Sequence, residues 1–507
     1  MDSLLPSQVS SLEETMEDEK DAVLVTDEMP KKNKIKSPLT WLKILSKVTH
    51  WSFVFGVIVI YGVMQGLVNG TQSVAIDYYW KDVQMVQPSA AQVYQGIAYI
   101  PWVVKPVWGL LTDVLPMFGY RRKPYIIFAG ILGLVSMLTL SIHGRLHVTF
   151  ALLAITAGNA SLALADATID ACIAQYSVAI PSLAADIQSL CGLSSSIGAL
   201  LGFSISGLLI RSMGSQGTLG LLSIPTSLLF LAGMFIKELS TPGFAFTEVH
   251  KRFLQAGQTM WSTLKCPQVW RPCLYIYVSL SFSLDIQEGM FFWYTHPKAG
   301  PSFSQEAIGY ILSIGSVGSL LGVLLYQNLL KDFSFWGLLF WAQLLTSCAG
   351  MLDLVLVLRL NIKLGVPDYF FVVIDKCVAE MIGQIKWLPL LVLSSKLCPR
   401  GIEGTFFAVV MAIENVGMFS ASWGGGLLLR GLRVTRSEFS HLWEAILIRN
   451  IMRVLPLALL FLVPRSNQDS TILPPEMLVE NSDMKKMGEG DVELSLVNNT
   501  NMPSEGL

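Results

Sequence analysis

Apolar runs of about 18–25 residues return along this chain about twelve times, separated by short polar breaks. Each is long enough to cross the hydrocarbon core of a bilayer as a helix, and no water-soluble fold repeats that pattern so often. The runs lie near 51–75, 94–114, 124–142, 148–176, 188–211, 217–236, 270–294, 305–329, 334–359, 368–395, 402–429 and 439–463. Only 14% of the 507 residues are charged, against roughly 25% in a soluble domain. So few charges could not cover the surface of a chain this long in water. The expected fold class is therefore an all-α membrane protein whose solvent is partly lipid.

The polar segments set the organisation. Residues 1–50 are rich in acids and end in a basic patch, Lys31, Lys32, Lys34, Lys36, Lys43 and Lys47, just ahead of the first run. A transit peptide is poor in acids and a secretory signal has an early apolar core; this segment has neither character, and it reads as a cytosolic tail. The longest internal polar stretch, 237–269, follows the sixth run, and the polar segment 464–507 reads as a second cytosolic tail. A half at 51–236, a central cytosolic loop and a half at 270–463 resemble the outline of a major facilitator-type transporter, two six-helix halves around a midplane site. Most Lys and Arg then fall on the cytosolic side, as the positive-inside rule requires. Arg430, Arg433 and Arg436 break it, because they sit in an expected outer loop. The net charge of −2 suggests no nucleic-acid partner. The seven cysteines show no metal spacing and read as buried thiols, and the sequons at Asn69, Asn159 and Asn498 lie in runs or in a tail.

The segment GLLTDVLPMFGYRRKPY (109–125) joins the second and third runs. Gly109 would allow close helix approach, Asp113 could pair with a cation or a helix N-terminus, and Arg121, Arg122 and Lys123 after Gly119 would hold the loop on the cytosolic side as a gate. The bland alternative is an ordinary loop with a few basic residues. The pattern resembles the loop signature of the major facilitator superfamily, but with about three more residues between Asp113 and the arginines. That longer form, Gly-Tyr-Arg-Arg-x-Pro-Tyr, is similar to the folate–biopterin transporter family. So are Asp166-Ala-Thr-Ile-Asp170-Ala in the fourth run and the Pro-x-Gly-x-Glu-Gly-Thr turn within 386–417. The resemblance spans about Trp51 to Val463. It implies a plant-type secondary transporter of folates or biopterin-like pterins, expected to work as a monomer without cofactor or metal. The acid-rich N-terminus argues against plastid import and leaves the plasma membrane, a vacuole or another endomembrane.

Asp166 and Asp170 are one helical turn apart and share a face. A carboxylate facing lipid at mid-bilayer costs about 2.5–3.5 kcal/mol on insertion scales, so both should face an interior cavity or bridge to a neighbouring helix. Two acids in contact repel, and proton uptake relieves the repulsion, which suits proton coupling. A carboxylate could also accept the paired donors of a pterin ring. Lys105, between Pro101 and Pro106 in the second run, has two readings: it takes the carboxylates of a folate glutamate tail, or it neutralises the aspartates.

The tenth run carries Asp375, Lys376, Glu380 and Lys386, of which Lys376 and Glu380 form an i, i+4 pair. Asp285 and Glu288 in the seventh run adjoin Phe291, Phe292 and Trp293, rings on which a flat ligand could stack. Glu414, Asn415, Arg449 and Arg453 rank lower. Gly198-x-x-x-Gly202 with Ser206, and Gly318-x-x-x-Gly322, are packing signals. No P-loop, HExxH or GxSxG motif is present, so neither ATP-driven transport nor a membrane-embedded enzyme is expected. The competing readings are a carrier of another organic anion and a receptor that binds without transporting.

Overall fold

The computed structural model describes residues 38–465, apart from 116, 143–145, 180–183, 237, 239–256, 259–260, 331–332 and 398–402. The distal tails, Lys31 to Lys36, Cys398, most of the central loop and the start of the turn at 399–405 lie outside the described residues. The chain forms two compact units, divided between Phe55 and Gly56. The first contains the helix Pro38–Thr49, whose Lys43 and Lys47 share one side while Trp41 and Leu45 share the other.

In the second unit everything described is helical except turns and one isolated bridge between Met117 and Tyr120. Among the described residues, nine helices are long and apolar enough to cross a membrane. One of them, Ser189–Phe235, is a 47-residue run that Gly214 splits into the fifth and sixth spans, its φ of 75° being a conformation that glycine adopts without strain. Two further passes are each broken into shorter helices. The second span runs as Pro88–Ala98, Ile100–Val103 and Lys105–Val114; the seventh as Pro267–Ser281 and Gln287–Tyr294. The others are Trp51–Val83, Lys123–Ile142, Val148–Ala179, Gln305–Leu330, Phe335–Val357, Asp368–Lys396, Glu403–Gly431 and Leu442–Leu462. Twelve passes result among the described residues. The first is longer than its apolar run implied, continuing past 75 to Val83, because its polar end is buried by neighbouring helices.

The small-residue stripes act as the sequence suggested. A methyl group on Gly198 would overlap the carbonyl of Gly62, and one on Gly66 would come within 2.7 Å of Gly198 Cα, so the first and fifth spans touch backbone to backbone. Gly318 and Gly322 meet the tenth span at Cys377 and Met381 in the same way. Gly109 does not: a methyl there would meet nothing within 4 Å, so the close approach expected of it is absent. The sequence could not distinguish a glycine at a contact from one on an open helix face. Gly198→Ala should therefore destabilise the fold by about 1–3 kcal/mol or more, whereas Gly109→Ala should be neutral or slightly stabilising. Thermal unfolding of the two purified variants in one detergent measures the difference; equal melting would refute the backbone contact.

Candidate functional site

The second span breaks where its prolines fall. Pro106 has no N–H to give the carbonyl of Trp102, four residues back. Asn415 of the eleventh span supplies it instead, its Nδ2 donating to Trp102 O at 2.8 Å. The Trp108 indole donates to Pro101 O at 2.9 Å. The helix restarts at Lys105 and carries that side chain to the fourth span.

There Lys105 Nζ forms an ion pair with Asp166 and a second with Asp170 Oδ2 at 2.9 Å. Tyr61 Oη donates to the other Asp170 oxygen, and Gln65 Nε2 donates to Asp166. Tyr61 and Gln65 lie in Ile58–Val68, which winds as a π-helix, a wide turn that keeps residues four apart nearly on one face. Three spans thus converge on two carboxylates and one ammonium. Asp166 is buried, whereas the Asp170 side chain is 40% exposed, so Asp170 is the member a ligand or water can reach. Sequence reasoning placed the acids and the lysine but missed Tyr61 and Gln65, because one Tyr and one Gln in an apolar run carry no signal until the partner helix is known.

The other expected residues do not gather into this cluster. Lys376 pairs with Glu380 at 2.7 Å, as their spacing implied. Asp375 stands near Asp353, which binds Arg449 at 2.7 Å. Lys386 is buried and donates to Ser283 Oγ at 3.1 Å and to Ser279 O. Glu414 accepts from Ser394. Asp285 accepts from Gln92 Nε2 at 2.9 Å, and Glu288 from Gln95 Nε2 at 3.3 Å. Phe291 packs edge-on against Tyr78, and Phe292 is buried beneath Arg436, so both rings are occupied by protein.

At the loop after the second span, the backbone N–H groups of Arg121, Arg122 and Lys123 all donate to the Glu238 carboxylate at 2.8–3.2 Å. An acid thus neutralises the N-terminus of the third span. Gly119 takes a positive φ of 80° in the turn before it. The Asp113 side chain lies outside the described residues. Glu238 belongs to the central polar stretch, where it is one of two acids with Glu248 and nothing in its setting gave a cue.

The three arginines that broke the charge rule have a local explanation in part. Arg436 Nη1 donates to Val86 O at 3.2 Å and to Lys81 O, at the C-terminal end of the first span, where a cation is favoured by the helix dipole. Arg430 and Arg433 line a groove of about 620 Å³ between the second and eleventh spans.

The sequence profile of the BT1 family matches residues 65–474. The chain is 53% identical over 474 residues to a probable folate-biopterin transporter 2 of Arabidopsis thaliana, covering 94% of this chain and 95% of that one. It is 30% identical to a folate-biopterin transporter of Synechocystis sp., covering 79% and 80% of the two chains. The crystal structure of a D-xylose–proton symporter has the same fold at a TM-score of 0.58 and 16% identity, over 84% of this chain and 99% of that one.

Proposed function

This chain belongs to the BT1 family, and we propose that it is a secondary active carrier of folates, pterins or both, driven by protons. It works as a monomer by alternating access between its two six-helix halves. The observation that carries the reading is Lys105 held between Asp166 and Asp170, with Asp170 open to solvent. The cluster has one negative charge more than it has positive. A proton on Asp170 would cancel that excess; a substrate bearing paired N–H donors could dock on the same carboxylate. The proton and the substrate then act on one group, which is the condition for coupling them. Because both acids already engage Lys105, the reading of Lys105 as their neutralising partner fits better than its reading as a free hook for a glutamate tail.

The connections at 84–87 and 432–441 face outward in this reading, and the loop at 115–122 faces the cytosol. The membrane is the plasma membrane or a vacuolar or other endomembrane, and no nucleic acid takes part. Uptake of radiolabelled folate and biopterin into vesicles holding the purified chain, with and without an acidic exterior, tests it. Accumulation that a protonophore collapses is the expected result. Binding without flux would indicate a receptor, and neither binding nor flux would indicate another organic anion.

A further inference from the structure

A second group of acids lies across the seam between the two halves, away from Lys105. Asp77 sits near the end of the first span, Gln95 on the first helix of the second span, and Glu288 on the second helix of the seventh. Both carboxyl groups are buried, Asp77 at 8% and Glu288 at 3% exposure. Gln95 Nε2 donates to both, to Asp77 Oδ1 at 3.1 Å and to Glu288 Oε1 at 3.3 Å. The two carboxyl groups also lie within hydrogen-bonding reach of each other. Glu288 Oε2 is buried with no hydrogen-bond partner. A carboxylate offers only acceptors, so a buried oxygen beside another carboxyl group lacks a donor that the protein does not supply.

The charged groups around the pair are already engaged. Asp285, on the seventh span, accepts from Gln92. Lys376, on the tenth, is taken by Glu380. Lys81 donates to Thr295 Oγ1 at 2.7 Å, with Asp82 beside it. Glu306, on the eighth span, pairs with Arg211. Among the described residues no Lys or Arg forms an ion pair with Asp77 or Glu288.

We propose that Asp77 and Glu288 together bind one proton between the halves, and that this proton holds the halves closed at the end where the first and second spans connect. Two ionised carboxylates in contact, shielded from water, repel; one proton turns the repulsion into a hydrogen bond and gives Glu288 Oε2 its partner. The bond joins the first span to the seventh, beside other contacts across the same seam. Gln92 donates to Asp285 and, at 3.1 Å, to Ser422 Oγ, and Lys81 reaches Thr295. Loss of the proton would leave those contacts opposed by a charge–charge repulsion, and this end would open. The proposal rests on alternating access and adds to it a proton site separate from Lys105.

The test uses the full chain in proteoliposomes without substrate. Ala91 is fully buried and lies one helical turn before Gln95, on the same face. In an Ala91→Cys protein, modification of the introduced thiol by N-ethylmaleimide, followed by peptide mass spectrometry, reads the opening of this end. Glu288→Gln replaces the shared proton with a permanent N–H donor to Asp77, and Asp77→Asn does the same from the other half. Relative to either of these variants, which share the thiol's own titration, the parent should react about tenfold faster as the pH rises, while each variant stays slow. A parent and variants with the same pH profile would overturn the proposal. So would variants that react fast at every pH, the result expected if the acids merely pack the seam. Flux in the parent is measured separately, so failure of the carrier reading is distinguishable from failure of this one.

Discussion

Lys105→Met is expected to abolish transport of every substrate at every pH and to destabilise the folded chain by about 3–5 kcal/mol, the cost of removing one partner from a buried ion pair. Met keeps the length and the apolar stem of the side chain. It leaves Asp166, buried with a side-chain exposure of 6%, facing Asp170 with only Gln65 and Tyr61 as donors. The cause is therefore charge rather than shape, and a second substitution separates the two. Asp166→Asn in the same chain removes the uncompensated buried charge, so the double variant should recover most of the lost stability without recovering transport. Thermal unfolding in detergent, run on parent, single and double variants, gives the coupling directly. A Lys105→Met protein that melts like the parent and loses folate uptake while keeping biopterin uptake would revive the other role, with Lys105 reserved for the glutamate tail.

The fold was legible because lipid imposes a single code, runs of apolar residues at spanning length broken by polar turns. The site was legible only where a residue was costly in its surroundings. Asp166, Asp170 and Lys105 stood out against apolar neighbours, and the structure joins them. Pro101 and Pro106 announced a break, though Asn415, which satisfies the freed carbonyl of Trp102, lies 313 residues away in sequence and could not be assigned to it. Asp77 was overlooked because it follows the expected end of the first span, in what read as a loop; the helix continues through it and buries it. Gln92 and Gln95 are ordinary residues for a span end, and their meaning comes only from the seventh span, which carries Asp285 and Glu288 to them. Long-range pairing, rather than residue type, is what a single sequence withholds.

Asp170→Asn should separate coupling from movement. The amide is nearly the same size as the carboxyl group, its oxygen can still accept from Tyr61, and the exposed position tolerates the change, so the variant should fold. It can neither take up a proton nor offer a carboxylate to Lys105, which remains paired with Asp166. If Asp170 carries the coupling proton, as proposed, uptake by the parent should rise as the outside pH falls and substrate should accumulate against its gradient. In the variant that rise should vanish, and substrate should reach the same concentration on both sides. Exchange of labelled for unlabelled substrate, which needs the carrier to reorient but no net proton movement, should continue at saturating substrate. Its half-saturating concentration should be raised, because the amide no longer offers two acceptors to paired N–H donors. This outcome differs from that of Lys105→Met, where exchange is lost as well, and from Glu288→Gln, where the halves stay closed at one end. If Asp170→Asn accumulates substrate with the parent's pH dependence, Asp170 is not the proton-carrying group, and the pair formed by Asp77 and Glu288 becomes the place to seek it.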